Sequence, residues 1–359
     1  MSQTKVEAPF IQRNEIFRNK FCNGDFQVHQ RFDGSATAAS TAYMSFDRIK
    51  TLLINTGAAW TVEKETLSVT DLATTGHKQA LEVKCTTADT STGAAEYNAV
   101  FFSLEANSLQ DLNYGTSAAK SLTVSFWVRS YQTGTFVLTA AKSDSTTYYN
   151  PKEYTINASN TWEHKVLTFS PTAGGTSLIT SSNGVITNDN GQGMHFYFML
   201  NAGSNYHATN DTWATSGIAT SNQTNMMSST DNHWSITGLQ IEVGDQATDF
   251  EYLPFDIQLQ RCSRYYHPLS YGLLSSAPVM FGLAFGGLDG SNVGSDNVMF
   301  PYNFPVPMRD APTVTVGSKG SGTGTASTQY ISEYACQLYY TSNGASNVWL
   351  KNVVADSEF

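Results

Sequence analysis

Apolar and polar residues alternate along much of this chain. Leu122, Val124, Phe126 and Val128 occupy every second position, with Thr123, Ser125, Trp127 and Arg129 between them. That period sends one set of side chains to each face of a half-buried strand. Phe136 and Leu138 continue the pattern after a turn at Gln132-Thr133-Gly134. Leu81 and Val83 alternate with Glu82 and Lys84, and Leu239, Ile241 and Val243 with Gln240 and Glu242. Met194, Phe196, Phe198 and Leu200 form a further set, but His195, Tyr197 and Met199 make its second face apolar as well. A strand of that kind needs cover on both sides, from another chain or from the C-terminal part of this one. Turn clusters such as Asn183-Gly184, Asn190-Gly191 and Asn201-Ala202-Gly203 separate the strands. Many strands with frequent turns and little helix predict an all-β, antiparallel sandwich.

Two regions depart from this pattern. After Pro254-Phe255, Asp256 is suited to an N-cap, and Leu259, Cys262 and Tyr266 fall at i, i+3 and i+7, which predicts a short helix. The first twenty residues carry Lys5, Arg13, Arg18 and Lys20 against Glu7 and Glu15, with apolar residues at no strict period. Such an arm either ties onto its own domain or docks on a neighbouring chain. The expected division is a docking arm over 1–20, a sandwich over 21–255, a linking helix over 256–266 and a smaller β-sandwich domain over 267–359. The last contains a strand with Val314 and Val316, and a low-complexity stretch at Gly317–Thr328 that predicts a flexible loop.

Composition narrows the function classes. The 359 residues are 14% charged and 12% aromatic, with a formal charge of −10 and no Lys or Arg from Val166 to Gln260. A surface so poor in cations cannot neutralise phosphates, which argues against nucleic acid as a partner. No apolar run approaches the ~20 residues of a membrane-spanning helix, and no secretory leader is evident at MSQTKVEAPF. Cys22, Cys85, Cys262 and Cys336 lack metal or redox spacing and read as reduced, buried side chains.

Five segments carry a resemblance. NGDFQVHQR (Asn23–Arg31), DLNYGTSAAKSLTVSFWVRS (Asp111–Ser130), YTINASNTWEHKVLTF (Tyr154–Phe169), WSITGLQIEVGDQATDFEYLPF (Trp234–Phe255) and RCSRYY (Arg261–Tyr266) resemble, in order, stretches of structural proteins of tailed phages, many of them marine. FPVPMRDAPTVTV (Phe304–Val316) resembles the second domain of such proteins over a shorter match. The resemblance implies a jelly roll of carbohydrate-binding-module type, as found in tail fibres, tail-associated proteins and head-decorating proteins. It therefore implies a virion protein made in the host cytoplasm, with other virion proteins and host surface polysaccharide as partners. Trimers are usual among such fibres. Related sequences carry a more acidic, Leu-rich helix where this chain has Asp256–Gln260, which leaves the helix's docking partner open.

Candidate chemistry is sparse. His29, His77, His164, His195, His207, His233 and His267 show no metal-binding or catalytic spacing and read as satisfied or surface residues. Glu96, Glu105, Asp245, Asp249 and Glu251 are the carboxylates a tail-borne glycosidase would need, but a solvated strand end accounts better for the last three. No enzyme and no cofactor are expected; a structural Ca²⁺, held by Asp25 or Asp249, is the weak exception. Glycan binding needs aromatic faces beside amides or carboxylates. Trp60, Tyr97, Tyr206, His207 and Trp213 lie in polar, loop-like surroundings and are the candidates, though exposed aromatics also build chain–chain contacts. Trp127, Trp162 and Trp234 read as sheet packing. Phe10, Ile11, Arg13, Ile16, Phe17 and Arg18 are the candidate docking residues of the arm. The expected function is a tail fibre or fibre-like appendage, most simply a homotrimer. The alternatives are a capsid decoration or head-fibre protein and, from a different class, a glycan-degrading tail enzyme.

Overall fold

The computed structural model describes residues 17–269, 294–319, 325–343 and 350–359. Two six-stranded sheets form the larger unit. The first runs, in spatial order, β1 (Thr37–Ala38), β4 (Ala59–Thr66), β5 (Gln79–Thr87), β12 (His233–Val243), β7 (Leu122–Ser130) and β10 (Glu163–Phe169). The second runs β2 (Ala42–Tyr43), β3 (Lys50–Ile54), β6 (Tyr97–Glu105), β11 (Gln192–Ala202), β8 (Gly134–Lys142) and β9 (Tyr148–Ile156). Neighbouring strands are antiparallel, and the chain crosses between sheets at most steps, which makes the unit a jelly roll. The inward halves of the alternating strands meet between the sheets. Phe126 packs edge-on against Phe198 at 5.0 Å, and Phe198 lies 5.6 Å from Trp234.

A smaller unit follows. β13 (Tyr266–Pro268), β18 (Leu350–Asp356) and β15 (Thr313–Lys319) form one three-stranded sheet; β14 (Gly294–Asn303), β17 (Ala335–Asn343) and β16 (Thr325–Gln329) form another. Leu269, Phe304, Met308, Leu338 and Val353 fill the core of this unit. The loop expected over 317–328 is therefore partly strand, because residues 317–319 and 325–328 are taken up by ladder pairing with β18 and β17; residues 320–324 lie outside the described ones.

The helix after the jelly roll, α2 (Phe255–Ser263), starts one residue earlier than expected. Pro254 holds the cap position without a side-chain bond, so Asp256 is not the N-cap but sits in the first turn, where its charge meets the helix dipole. Tyr266 lies beyond the helix, in β13. The helix docks through Cys262 and Leu259 against Cys22, Val28, Tyr265 and the terminal Phe359, which identifies the partner the sequence left open. A second helix, α1 (Val69–Thr75), was not expected; Ser68 and Asp71 close a capping box around its first turn.

Of the arm, Phe10, Ile11, Arg13 and Ile16 lie outside the described residues. Phe17 and Arg18 lie against the jelly roll itself. Glu251 accepts the backbone N–H of Phe17 at 2.7 Å and of Asn19 at 3.0 Å, and Arg18 pairs with Glu242 at 3.3 Å. The Asn19 amide inserts beside β12, accepting from Ile241 N–H at 3.0 Å and donating to Leu239 C=O at 3.0 Å. Residues 17–20 thus act as part of the jelly roll.

Candidate functional site

The outward face of the second sheet holds an unusual set of side chains. Period-2 alternation that buries Val100, Phe102, Phe196 and Phe198 turns Phe101 and Tyr197 outward, and the two are register partners with ring centroids 4.9 Å apart. Lys50 flanks Phe101 on β3, and Thr139 flanks Tyr197 on β8. One level along, Ser103, His195, Ala141 and Tyr149 repeat the row across β6, β11, β8 and β9. Tyr97 lies at the near end of β6, edge-on to Tyr206 at 4.7 Å.

Part of this face is roofed by the segment after β11. Thr139 Oγ1 donates to the Ile218 carbonyl at 2.6 Å, Gln223 Oε1 accepts from Val137 N–H at 2.8 Å, and Ala214 bridges Tyr149. Ile218 and Ala219 bury Met199, while Tyr97, Tyr149, Tyr197 and Tyr206 stay half-buried around the edge of the roof. The cover that the second face of β11 required therefore comes from neither expected source, but from a loop of the same domain.

Apart from Lys50, the titratable groups of this face are held uncharged. Burial, with the nearby Tyr206 and Tyr149, raises the Tyr97 phenol; burial raises that of Tyr149, and burial with Tyr149 and Tyr97 raises that of Tyr197. All three stay protonated donors, and among the described residues their hydroxyls have no hydrogen-bond partner. Burial and Lys50 push His195 down to about 4, so it too is uncharged at neutral pH. Beside this face, His207 lines a cleft of about 350 Å³ whose other walls include Glu153, Asn210, Thr220 and Asn222. Rings, phenols and amides in this arrangement can stack on and hydrogen-bond a neutral, hydroxylated ligand.

Three of the five sequence candidates, Tyr97, Tyr206 and His207, fall at this place. Trp60 and Trp213 do not: each is 1% exposed. Trp60 points inward from β4 and donates its indole N–H to Asn98 at 3.0 Å; Trp213 donates to the Ser170 carbonyl at 2.8 Å. Both are core residues, because satisfying the indole internally removes the cost of burying it. Tyr149 and Tyr197 were missed. The apolar second face of β11 was the signal for Tyr197, but it read as packing. Asp25 is buried, with Oδ2 accepting from Gln258 at 3.3 Å, and Asp249 accepts Arg18 through its backbone carbonyl. Among the described residues no three His, Cys, Asp or Glu side chains converge as metal ligands, and no helix is long and apolar enough to cross a membrane.

The chain matches no known protein family and no curated protein. Solved structures align with part of it at low identity. It is similar to the CBM22-1 xylan-binding domain from Paenibacillus barcinonensis, at 12% identity over 60% of this chain and 97% of that one, with a TM-score of 0.29. It is similar to a family 11 carbohydrate-binding module from Clostridium thermocellum, at 13% identity over 60% and 99%, TM-score 0.28. The enzymatically active domain of bacteriophage CBA120 tailspike protein 4 matches at 10% identity over 63% of this chain but only 21% of that one, TM-score 0.30. Similarities this distant transfer neither a ligand nor a residue's role.

Proposed function

We propose that this chain is a non-catalytic structural protein of a phage particle, a tail fibre or fibre-like appendage, whose jelly roll holds neutral host-surface glycan against the tyrosine face. The observation that carries the glycan part is the set of half-buried rings of Tyr97, Tyr149 and Tyr197, whose hydroxyls stay protonated and have no hydrogen-bond partner among the described residues. A pyranose has an apolar C–H face and a rim of hydroxyls, and such a surface meets both. The particle part rests on the five ordered segments between Asn23 and Tyr266. In this reading the residues before Phe17 dock on the particle, and three copies assemble.

The carboxylates support binding over turnover. Glu105 is held by Arg264 and Tyr265, Glu251 by two backbone N–H groups, and Glu96 accepts from Gly93 N–H at 2.6 Å. Calorimetric titration with host-surface polysaccharide, for the parent protein and for Tyr197→Ala and Tyr97→Ala, tests the proposal. Binding without loss of polymer length, weakened by both substitutions, is expected. Binding unaffected by either, or depolymerisation of the glycan, refutes it.

A further inference from the structure

The outward face of the first sheet carries a cleft of about 520 Å³, on the opposite side of the jelly roll from the tyrosine face. Its floor is β7, where Ser125 and Trp127 point outward, and β10, where His164 is the register partner of Trp127 with ring centroids 5.1 Å apart. One wall is His77, which follows α1; the other is the return segment with Asp249, Phe250 and Tyr252. His77 stands edge-on to Phe250 at 4.7 Å and 5.5 Å from Tyr252.

The backbone makes room for this arrangement. β12 breaks register between Thr237 and Gln240, and Gly238 there adopts φ +63°. A Cβ on Gly238 would lie 2.4 Å from His77 Nε2, so only glycine lets the imidazole seat.

The cleft holds polar groups that the protein leaves unmatched. His77 is 3% exposed, yet neither of its ring nitrogens has a hydrogen-bond partner among the described residues. The ring nitrogens of the exposed His164, the indole N–H of the half-buried Trp127 and the Ser125 hydroxyl also lack a partner among the described residues, and they are open to the cleft rather than buried. Polar groups that face a cleft without a protein partner are free to hydrogen-bond a ligand in place of water. Burial, with His164 nearby, pushes His77 down to about 4, and burial lowers His164, so the imidazoles are neutral donors and acceptors.

The geometry points to an open binding cleft for one or two neutral sugar rings, distinct from the tyrosine face, with Trp127 under the apolar C–H face, His164 and Ser125 on the hydroxyls, and His77 as the buried wall. The Asp249 carboxylate at the lip accepts further hydroxyls and disfavours an anionic ligand. The volume suits one or two rings and not a long chain lying across the sheet.

The test is titration of the full chain with the methyl pyranosides of glucose, galactose, mannose and xylose, followed by tryptophan fluorescence and ligand-observed NMR, with methyl glucuronide as the anionic control. At least one neutral glycoside is expected to saturate in the millimolar range. Trp127→Ala should weaken it about tenfold, and Tyr197→Ala should leave it unchanged. If Trp127→Ala does not fold, His164→Ala and Ser125→Ala carry the same expectation. The inference is overturned if no neutral glycoside saturates, if the glucuronide binds more tightly, or if the cleft variants bind like the parent. Loss with Tyr197→Ala alone would place the sugar on the tyrosine face, sinking this inference while leaving the proposed function standing.

Discussion

Glu105, at the end of β6, and Arg264, just past α2, form a two-pronged ion pair: Nε to Oε1 and Nη2 to Oε2, both at 2.8 Å. Tyr265 adds a hydroxyl hydrogen bond to the same carboxylate. Burial pushes the Glu105 carboxyl upward, but the Arg264 fork and the Tyr265 hydroxyl outweigh it, and it lies below the usual range. A general acid needs the opposite shift. Glu105 instead ties the jelly roll to the smaller β unit, beside the Arg31–Asp356 pair at 2.7 Å and the pairing of Arg48 with Glu358.

Arg264→Met should therefore destabilise the protein by about 3–5 kcal/mol, because it strands a buried carboxylate. Adding Glu105→Leu should return much of that loss. Chemical denaturation measures both, and a single substitution that is neutral would contradict the role assigned to the pair.

Acid should weaken the fold before most carboxylates titrate. Burial pushes His77, His195 and His267 down to about 4. The unfolded chain takes up these protons below about pH 6.5, while the folded chain resists until about pH 4. Stability is thus full above that window and falls as pH drops through it, by roughly 3 kcal/mol for each histidine. Asp47, pushed up to about 7 by burial despite Arg31, works in the other direction, gaining stability on protonation, and only partly offsets three histidines. Urea midpoints at the two ends of the window decide the sign; a midpoint that rises on acidification would be inconsistent with neutral, buried imidazoles.

Tyrosine-face and core aromatics should separate cleanly. Trp213→Ala, in the core, should cost about 3–5 kcal/mol. Tyr97→Ala, at a half-buried edge, should cost about 1 kcal/mol and act mainly on glycan affinity. Parallel melting and titration of the two variants distinguish a core ring from a contact ring.

Deleting residues 1–16 should leave melting unchanged and abolish incorporation into particles. Deleting residues 1–20 should also destabilise the jelly roll, since Asn19 completes hydrogen bonds to Leu239 and Ile241, worth about 1 kcal/mol each. Normal incorporation of the shorter deletion would remove the docking role.

The purified chain should be a trimer by mass photometry. The roof over Met199 is intramolecular, so the expectation rests on the resemblance to fibre proteins and on closed symmetry. A monomer at micromolar concentration would refute it.

By itself the sequence determined the strands at Leu122, Phe136, Met194 and Leu239 and the antiparallel sandwich they build, because period-2 alternation is a local property that every strand carries along its own length. Only the tertiary structure decided which face of each strand was closed. Trp60 sits inside because β4 pairs with β5 in a register that turns it, with Val62, toward the core, where Asn98 accepts its indole N–H. Tyr197 sits outside, and half-open, because Ile218 and Ala219 roof one end of the sheet and stop short of the other. The Trp127 cleft lay further still from view: His77, Trp127, His164 and Phe250 come from four separate stretches of chain, and long-range packing alone brings them together.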